Sequence, residues 1–327
     1  MLYENNFQVM MNMLNFYLMM NMLILLMMLI MIMISVAFLT LFERKILSIS
    51  HYRKGPNKIS LWGLLQPFSD AMKLLSKEFF YPLKSNYWYY SLSPILMFTL
   101  IFSLWMIYPF KTNLFNWSLN SLFFLCLMSM NVYSLMISGW SSNSSFSMLG
   151  AIRSISQSIS YEVTLSISFL LTLLIINSLN LKYLMIMQKY IWLMMFLWPI
   201  AIILFMSMLA EINRTPFDLS EGEFELVSGF NIEYSNYGFV LIFLSEYSSI
   251  MFMMFMFNLL FFSMSKFNFM FYMSYLMFLF LTIWIRLTLP RIRYDYLMFF
   301  CWWYLLPMIL IMFFFFNMYF KFLINLI

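Results

Sequence analysis

Long apolar runs separated by short polar segments make up most of this 327-residue chain. The runs are about 20 residues or longer, the length of helix that crosses the hydrocarbon core of a bilayer. Polar and apolar residues do not alternate within the runs, so the pattern favours helices over the strands of a membrane barrel. It predicts an all-α polytopic membrane protein, a single membrane domain built as a bundle of eight transmembrane helices. The predicted spans cover residues 12–42, 89–110, 119–140, 147–177, 190–211, 237–262, 269–289 and 300–325.

Longer polar loops interrupt the spans at residues 43–88, 212–236 and 286–299. In the first loop, residues 61–80 read LWGLLQPFSDAMKLLSKEFF, where apolar residues recur at helical spacing. This spacing predicts an amphipathic interfacial helix. Such a helix either anchors the loop or lines an entrance for a lipophilic ligand, and the sequence leaves both functions open. Its predicted apolar face consists of Leu64, Leu65, Phe68, Met72, Leu75 and Phe79.

The composition strengthens the membrane interpretation. The chain is 64% hydrophobic and 9% charged, whereas soluble domains are about a quarter charged. Most of its 18 Lys and Arg residues fall in or near the loops that follow spans 1, 3, 5 and 7. The positive-inside rule therefore places the long polar loops on one side and both termini on the other. This asymmetry accounts for the net charge of +5 without a nucleic-acid partner.

Metal-binding residues are scarce. The chain has one histidine, His51, and two cysteines, Cys126 and Cys301, which both fall in apolar runs and are expected to be buried thiols. This set is too small for a haem, zinc or iron–sulfur site. We therefore expect no metal ligation in this chain and place any redox cofactor in another subunit. The 36 Met residues against 7 Gly favour a mitochondrially encoded protein.

Carboxylates occur where a bilayer disfavours them. Glu162 lies about 15 residues into the fourth predicted span, and Glu246 lies near the middle of the sixth. Buried carboxyls of this kind serve either as neutral packing residues or as proton carriers. The fourth span also carries two polar faces, which predict that it lies inside a bundle. One face holds Arg153, Gln157, Ser160 and Thr164, and the other holds Ser158, Glu162 and Ser166.

A second group of acids follows the fifth span. Glu211 ends that span, Pro216 breaks the helix, and further acids alternate with apolar residues in the loop. The acids are either solvated loop charges or an acidic funnel that leads towards Glu246 and Glu162. These loop acids are Asp218, Glu221, Glu223 and Glu225.

Several motifs resemble those of subunit 1 of respiratory complex I, the proton-pumping NADH:ubiquinone oxidoreductase, and most closely its mitochondrially encoded members. They cover the chain from about residue 35 to about residue 300, in the order and at the spacing of the family. The motifs are FERKILSISHYRKGPNKISLWGLLQPFSDAMKLLSKE, GAIRSISQSISYEVTL, LAEINRTPFDLSEGEFELVSGFNIEY, LSEY and WIRLTLPRIRYDYLM.

The resemblance implies a core membrane subunit that forms a ubiquinone chamber with matrix-side subunits. It also implies a multi-pass protein of the mitochondrial inner membrane, with the long loops facing the matrix. Ubiquinone is the substrate, FMN and iron–sulfur clusters belong to other subunits, and other complex I subunits and phospholipids are the partners. No residue of this chain is implied in covalent catalysis.

The resemblance also assigns residues. The positions that match ubiquinone-binding residues are Arg44, Arg53, Asp70, Ala71, Asp218, Phe243, Tyr247 and Arg286. The positions that match the proton path are Glu162, Glu211, Glu221, Glu223, Glu225 and Glu246. Arg214 and Glu233 match positions with a structural role. Two other functions stay open: a self-contained ion transporter, which the buried acids would also serve, and an ion-translocating or anchor subunit of a membrane-bound hydrogenase, a class of protein that resembles this family.

Overall fold

The computed structural model describes residues 2–109, 117–189, 191–219, 233–263 and 269–326, with side chains described for residues 15–319 of these ranges. The described residues form helices and turns and contain no strand. Eight helical segments among them are long and apolar enough to cross a membrane, which confirms the all-α polytopic fold. The helices are α1 (Leu2–Ser50), α2 (Gln66–Leu75), α3 (Tyr87–Leu104), α4 (Asn120–Ser141), α5 (Ser145–Leu174), α6 (Lys182–Met187), α7 (Met194–Glu211), α8 (Asn236–Phe262), α9 (Phe269–Thr288), α10 (Tyr294–Phe299) and α11 (Leu306–Leu326).

The helices differ sharply in how much of their surface this chain covers. In the apolar windows of α5 and α8, 61% of the residues are buried, against 17% for α1 and α9. Helices in lipid associate through close packing rather than hydrophobic exclusion, so the small and polar side chains of α5 suit its central place. The bundle is thus centred on α5, α7 and α8, with α1 and α9 at its edge.

Helix α5 keeps one face uncovered. Gln157, Ser160 and Thr164 are buried, in agreement with the predicted polar face. Ile152 and Ile159 are exposed on the remaining side of the helix. The helix thus lies inside the bundle, as its polar faces predict, while this apolar stripe is left uncovered by the same chain, which a membrane permits.

Helix α1 extends beyond the end predicted from its apolar run at residue 42. No proline or glycine interrupts the chain between the run and Ser50, so the helix continues through Glu43 and Arg44. These two charged residues therefore have helical rather than loop geometry. The extension fixes the direction in which each of them points.

The amphipathic helix of the first loop forms over Gln66–Leu75, after a 3₁₀ turn at Leu61–Gly63. Gly63 has φ +74°, and a Cβ there would lie 2.1 Å from the carbonyl oxygen of Pro56, so only glycine fits this turn. The apolar side chains of Phe68 and Met72 are exposed, although the edge of the Phe68 ring also contacts Phe38 on α1. This face is consequently available to lipid or to a partner.

One expectation about the cysteines is wrong. Cys301 is buried, but Cys126 on α4 is exposed. An apolar run in a membrane protein has a lipid-facing side as well as a packed side, and the run alone does not tell which side a residue takes.

Candidate functional site

A buried carboxylate, Glu43, lies where the end of α1 meets α8 and α9. It is 5% exposed. The Tyr247 hydroxyl on α8 donates a hydrogen bond to Glu43 Oε2 at 2.6 Å, and the Arg286 guanidinium on α9 donates to Oε1. Arg214 Nη1 lies 3.5 Å from the same Oε1. The carboxylate is thus paired with two cations, which is what makes a buried charge tolerable.

Arg214 also contacts the aromatic face of its neighbour. Its guanidinium carbon lies 4.5 Å from the centroid of the Tyr247 ring, a cation–π arrangement. Burial disfavours the charged form, but the neighbouring groups Tyr247, Glu43 and Glu246 favour it and together raise the pKa of the Arg214 guanidinium above its usual value. Arg214 is therefore a permanent positive charge inside the bundle.

Two small cavities lie on either side of Arg214. One has a volume of about 20 Å³ and is lined by Glu43, Tyr247 and Arg286 together with apolar side chains. The other has a volume of about 50 Å³ and is lined by Glu211 and Glu246. Arg214 lines both. A cavity of the larger size has room for a few water molecules, each of which needs about 10–15 Å³ on this measure.

The larger cavity brings together predicted acids of two helices, α7 and α8. Glu211 at the end of α7 is 7% exposed, and its Oε2 has no hydrogen-bond partner among the described residues. Glu246 on α8 lines the same cavity. Glu162 on α5 lies close enough to Glu211 for the two charges to interact. Because a buried carboxylate without a partner is costly, this site suits a carboxyl that exchanges a proton.

Asp218 lies in the segment that follows α7. It is 7% exposed, and Arg291 Nη2 donates to its Oδ2 at 2.9 Å. The Ile292 N–H donates to the Pro216 carbonyl at 3.0 Å, so the same segment is also held through its backbone. Asp218 is therefore anchored to the chain that leaves α9.

A second group of ubiquinone-binding candidates, Arg44, Asp70 and Ala71, lies around the other side of α1. The Arg44 guanidinium donates to Asp70 Oδ2, and the Gln66 amide donates to Asp70 Oδ1 at 2.9 Å. Partial burial acts in the opposite direction, but these hydrogen bonds and the charges of Arg44 and Lys73 hold the pKa of the Asp70 carboxyl below its usual value. Ala71 follows on the same helix and is half-buried. This group is more exposed than the one around Glu43.

Two candidates have simpler surroundings. The Phe243 ring lies 4.4 Å from the Tyr247 ring, one helical turn away on α8. Arg53 is exposed just after α1, where its backbone N–H donates to the Ser48 carbonyl at 2.7 Å. The structure thus joins Phe243 to the Glu43 group and leaves Arg53 at the surface.

A family model described as NADH dehydrogenase matches residues 23–317 of the chain. The chain belongs to the NADH dehydrogenase family. Among its relatives, NADH-ubiquinone oxidoreductase chain 1 of Locusta migratoria is 49% identical and that of Aedes aegypti is 47% identical. Each matches over 270 residues, which are 83% of this chain and 86% of the relative. The same protein of Didelphis virginiana is 44% identical over 277 residues, 83% of this chain and 87% of its own.

Some residues of this family member were not singled out from the sequence. Glu43 was not among the candidates, although an acid at the end of an apolar run and directly before Arg44 is a signal that sequence reasoning had available. Arg214, which the resemblance assigns a structural role, lies between both cavities. Glu233 accepts a hydrogen bond from the Tyr90 hydroxyl through its backbone carbonyl, and that contact is structural.

Other candidates cannot be placed. Glu221, Glu223 and Glu225 lie outside the described residues, so their position in the predicted funnel stays a prediction.

Among the residues that the structure describes, no group of three or more His, Cys, Asp and Glu residues is arranged to hold a metal ion.

Proposed function

We propose that the chain, a membrane subunit of NADH:ubiquinone oxidoreductase like its named relatives, forms the membrane side of a ubiquinone chamber. We further propose that its buried acids couple quinone reduction to proton translocation. The observation that carries this proposal is the permanent charge of Arg214, which touches the Glu43 group on one side and the acid-lined cavity on the other.

The chamber requires surface from other subunits. The two cavities that Arg214 lines have volumes of about 20 and 50 Å³, whereas sites for organic ligands are typically about 300–1,000 Å³. The quinone headgroup therefore lies against the outer edge of the Glu43 group, where the Arg286 side chain is 36% exposed, and matrix-side subunits close the chamber. The proposed binding residues of this chain are Arg44, Arg53, Asp70, Ala71, Asp218, Phe243, Tyr247 and Arg286.

The headgroup offers two carbonyl oxygens, and this side of the chain offers N–H and O–H donors. Electrons reach the quinone from NADH through FMN and iron–sulfur clusters in other subunits. Reduction adds electrons and protons to the quinone in equal number. Negative charge that develops near Arg286 and Tyr247 attracts Arg214 away from Glu246, because a guanidinium between two anionic sides responds to the balance of their charges.

Protons then follow the charge. When Arg214 interacts less with Glu246, the carboxylates of the larger cavity gain affinity for protons. Protons then pass along Glu211, Glu246 and Glu162 towards neighbouring membrane subunits. The loop acids Glu221, Glu223 and Glu225 supply this path from the chamber. The chain then acts in the mitochondrial inner membrane with its long loops towards the matrix and both termini on the opposite side.

An apolar groove supports contact with lipid tails. It has a volume of about 390 Å³ and lies between α1 and α3, where Met22, Ile32, Phe102 and Trp105 line it. Acyl chains fit such a groove, which is consistent with phospholipids as partners of this chain.

The experiment that tests the proposed function is Glu211→Gln in the assembled complex. We expect NADH-driven ubiquinone reduction and proton pumping to be lost, because the amide cannot exchange a proton, while NADH oxidation by a hydrophilic artificial acceptor continues. The acceptor assay serves as the internal control, since it draws electrons before they reach the quinone. Unchanged proton pumping in this variant would refute the proton path.

A further inference from the structure

Gln157, in the middle of α5, makes an unusual pair of hydrogen bonds. Its side chain is fully buried. Its Nε2 donates to the carbonyl oxygen of Ala210 at 2.8 Å and to that of Phe217, also at 2.8 Å. One amide nitrogen on α5 therefore holds two points of the chain that lie on either side of the break after α7.

Each of the two carbonyls belongs to the residue directly before a candidate acid. Ala210 directly precedes Glu211, and Phe217 directly precedes Asp218. A carbonyl shares its rigid peptide plane with the N–H of the following residue, so fixing the carbonyl fixes where the next residue begins. Gln157 thereby links the backbone of the acid in the larger cavity to that of the acid paired with Arg291.

The orientation of the amide follows from its partners. Both neighbours are carbonyl acceptors, so the nitrogen must face them, because the opposite orientation would set oxygen against oxygen. The Gln157 Oε1 is left without a hydrogen-bond partner among the described residues. A buried oxygen without a partner is unfavourable, so the two hydrogen bonds of the nitrogen fix the orientation of the amide.

We propose that Gln157 is a positioning residue that fixes Glu211 relative to Asp218 and transmits displacement of one to the other. When the Asp218 segment moves in response to the quinone, the shared nitrogen moves the end of α7 with it and changes the surroundings of Glu211. The inference rests on the proposed function, since it assigns Asp218 to the chamber and Glu211 to the proton path.

Gln188 provides a matched control within the same chain. Its side chain is also fully buried, its Nε2 donates to the Leu260 carbonyl, and its Oε1 likewise has no hydrogen-bond partner among the described residues. It holds the far end of α8 and contacts neither cavity. Replacing either glutamine removes the same chemical group, but only Gln157 lies beside the acids.

The test compares Gln157→Met with Gln188→Met in the assembled complex. Met has a similar length and helix propensity, so the helix is kept while the donors are lost. We expect Gln157→Met to lower the kcat of ubiquinone reduction about tenfold or more, since small misplacements of reacting groups have effects of this size. We also expect it to shift the pH profile and lower the proton-to-electron ratio, with artificial-acceptor activity retained. Gln188→Met should leave the pH profile and the ratio unchanged.

The outcomes separate this inference from the proposed function. If Gln157→Met keeps the parental pH profile and proton-to-electron ratio while Glu211→Gln abolishes pumping, the positioning role is refuted and the proton path stands. If Glu211→Gln also pumps normally, both fail. Should Gln157→Met not assemble, Gln157→Asn decides, because its shorter amide reaches at most one of the two carbonyls. A parental profile in that variant refutes the inference, and a shifted profile supports it.

Discussion

The Glu43 group and the larger cavity are buried acid sites on opposite sides of Arg214, and they are built differently. Glu43 accepts hydrogen bonds from Tyr247 and Arg286 and lies within ion-pair distance of Arg214. Glu211 has an oxygen without a partner among the described residues and lies beside room for water. The Glu43 carboxylate is fixed by its hydrogen-bond donors, whereas the Glu211 side chain has an oxygen that is free to contact water.

This difference shows how one chain can place a firmly held carboxylate close to one that has fewer fixed partners. A carboxylate that accepts several charged hydrogen bonds stays ionised and holds its donors in place. A buried carboxyl with fewer fixed partners and room for water beside it can exchange a proton with that water. We infer that the Glu43 group sets geometry for the quinone and the larger cavity carries the changing charge.

The strongest way to break the comparison is Glu43→Ala. It leaves Arg214 and Arg286 without their shared anion, and removing one partner of a buried pair costs about 3–5 kcal/mol. We expect a loss near the lower end, because the Arg286 side chain is 36% exposed and water relieves part of the charge. Thermal unfolding of the assembled complex and its yield in membranes are the measurements.

Glu211→Gln is the contrasting variant for stability. It should not lower the unfolding temperature, since it replaces a buried acid, one of whose oxygens has no hydrogen-bond partner among the described residues, with a neutral amide. Equal destabilisation by Glu43→Ala and Glu211→Gln would show that the two acids are held alike.

Tyr247→Phe sharpens the comparison with a smaller effect. It removes the hydrogen bond to Glu43 but keeps the ring beneath Arg214, and hydrogen bonds to charged groups contribute about 1.5–3 kcal/mol. We expect lower stability and a higher KM for ubiquinone. Tyr275→Phe is the control, because the Tyr275 hydroxyl donates to the neutral Met251 carbonyl at 3.2 Å. A loss no larger than that of the control would argue against an ionised Glu43.

The smallest effect is expected for Asp70→Asn on the exposed side of α1. The Arg44 and Asp70 side chains are 48% and 34% exposed, so their pair contributes at most about 1 kcal/mol. Because the pKa of Asp70 is lowered in the fold, the contribution is complete above the ordinary carboxyl pKa of about 3.9. It is lost as the pH falls below that value towards the folded pKa. Thermal stability of the parent and the variant at several pH values should therefore converge only in acid.

The sequence predicts much of this fold because the thickness of the bilayer sets the length of the apolar runs, which can be read directly from the residue types. The eight spans follow from that length, and the acids Glu162 and Glu246 stand out against their apolar neighbours. The face that each residue takes depends on packing. The exposed side of α5 and the outward apolar face of α2 therefore required the structure.

The site was less accessible to sequence reasoning. Glu43 forms its contacts because α1 continues past its apolar run, which residue type alone does not specify. Arg214 contacts Tyr247 on α8, and Gln157 binds backbone carbonyls at the end of α7 and after it. Such contacts join residues far apart in the sequence, so the local spacing of residues does not predict them. Motif matching supplied Tyr247 and Arg286 but not the acid that joins them.

Glu43 and Arg44 are consecutive residues of one helix, so their side chains diverge by about 100° around its axis. Glu43 accepts hydrogen bonds from α8 and α9, and Arg44 donates a hydrogen bond to α2. A small rotation of α1 about its own axis would therefore disturb both sets of contacts at once. The end of this helix is accordingly a torsional restraint, which fixes α2 relative to the interior charges.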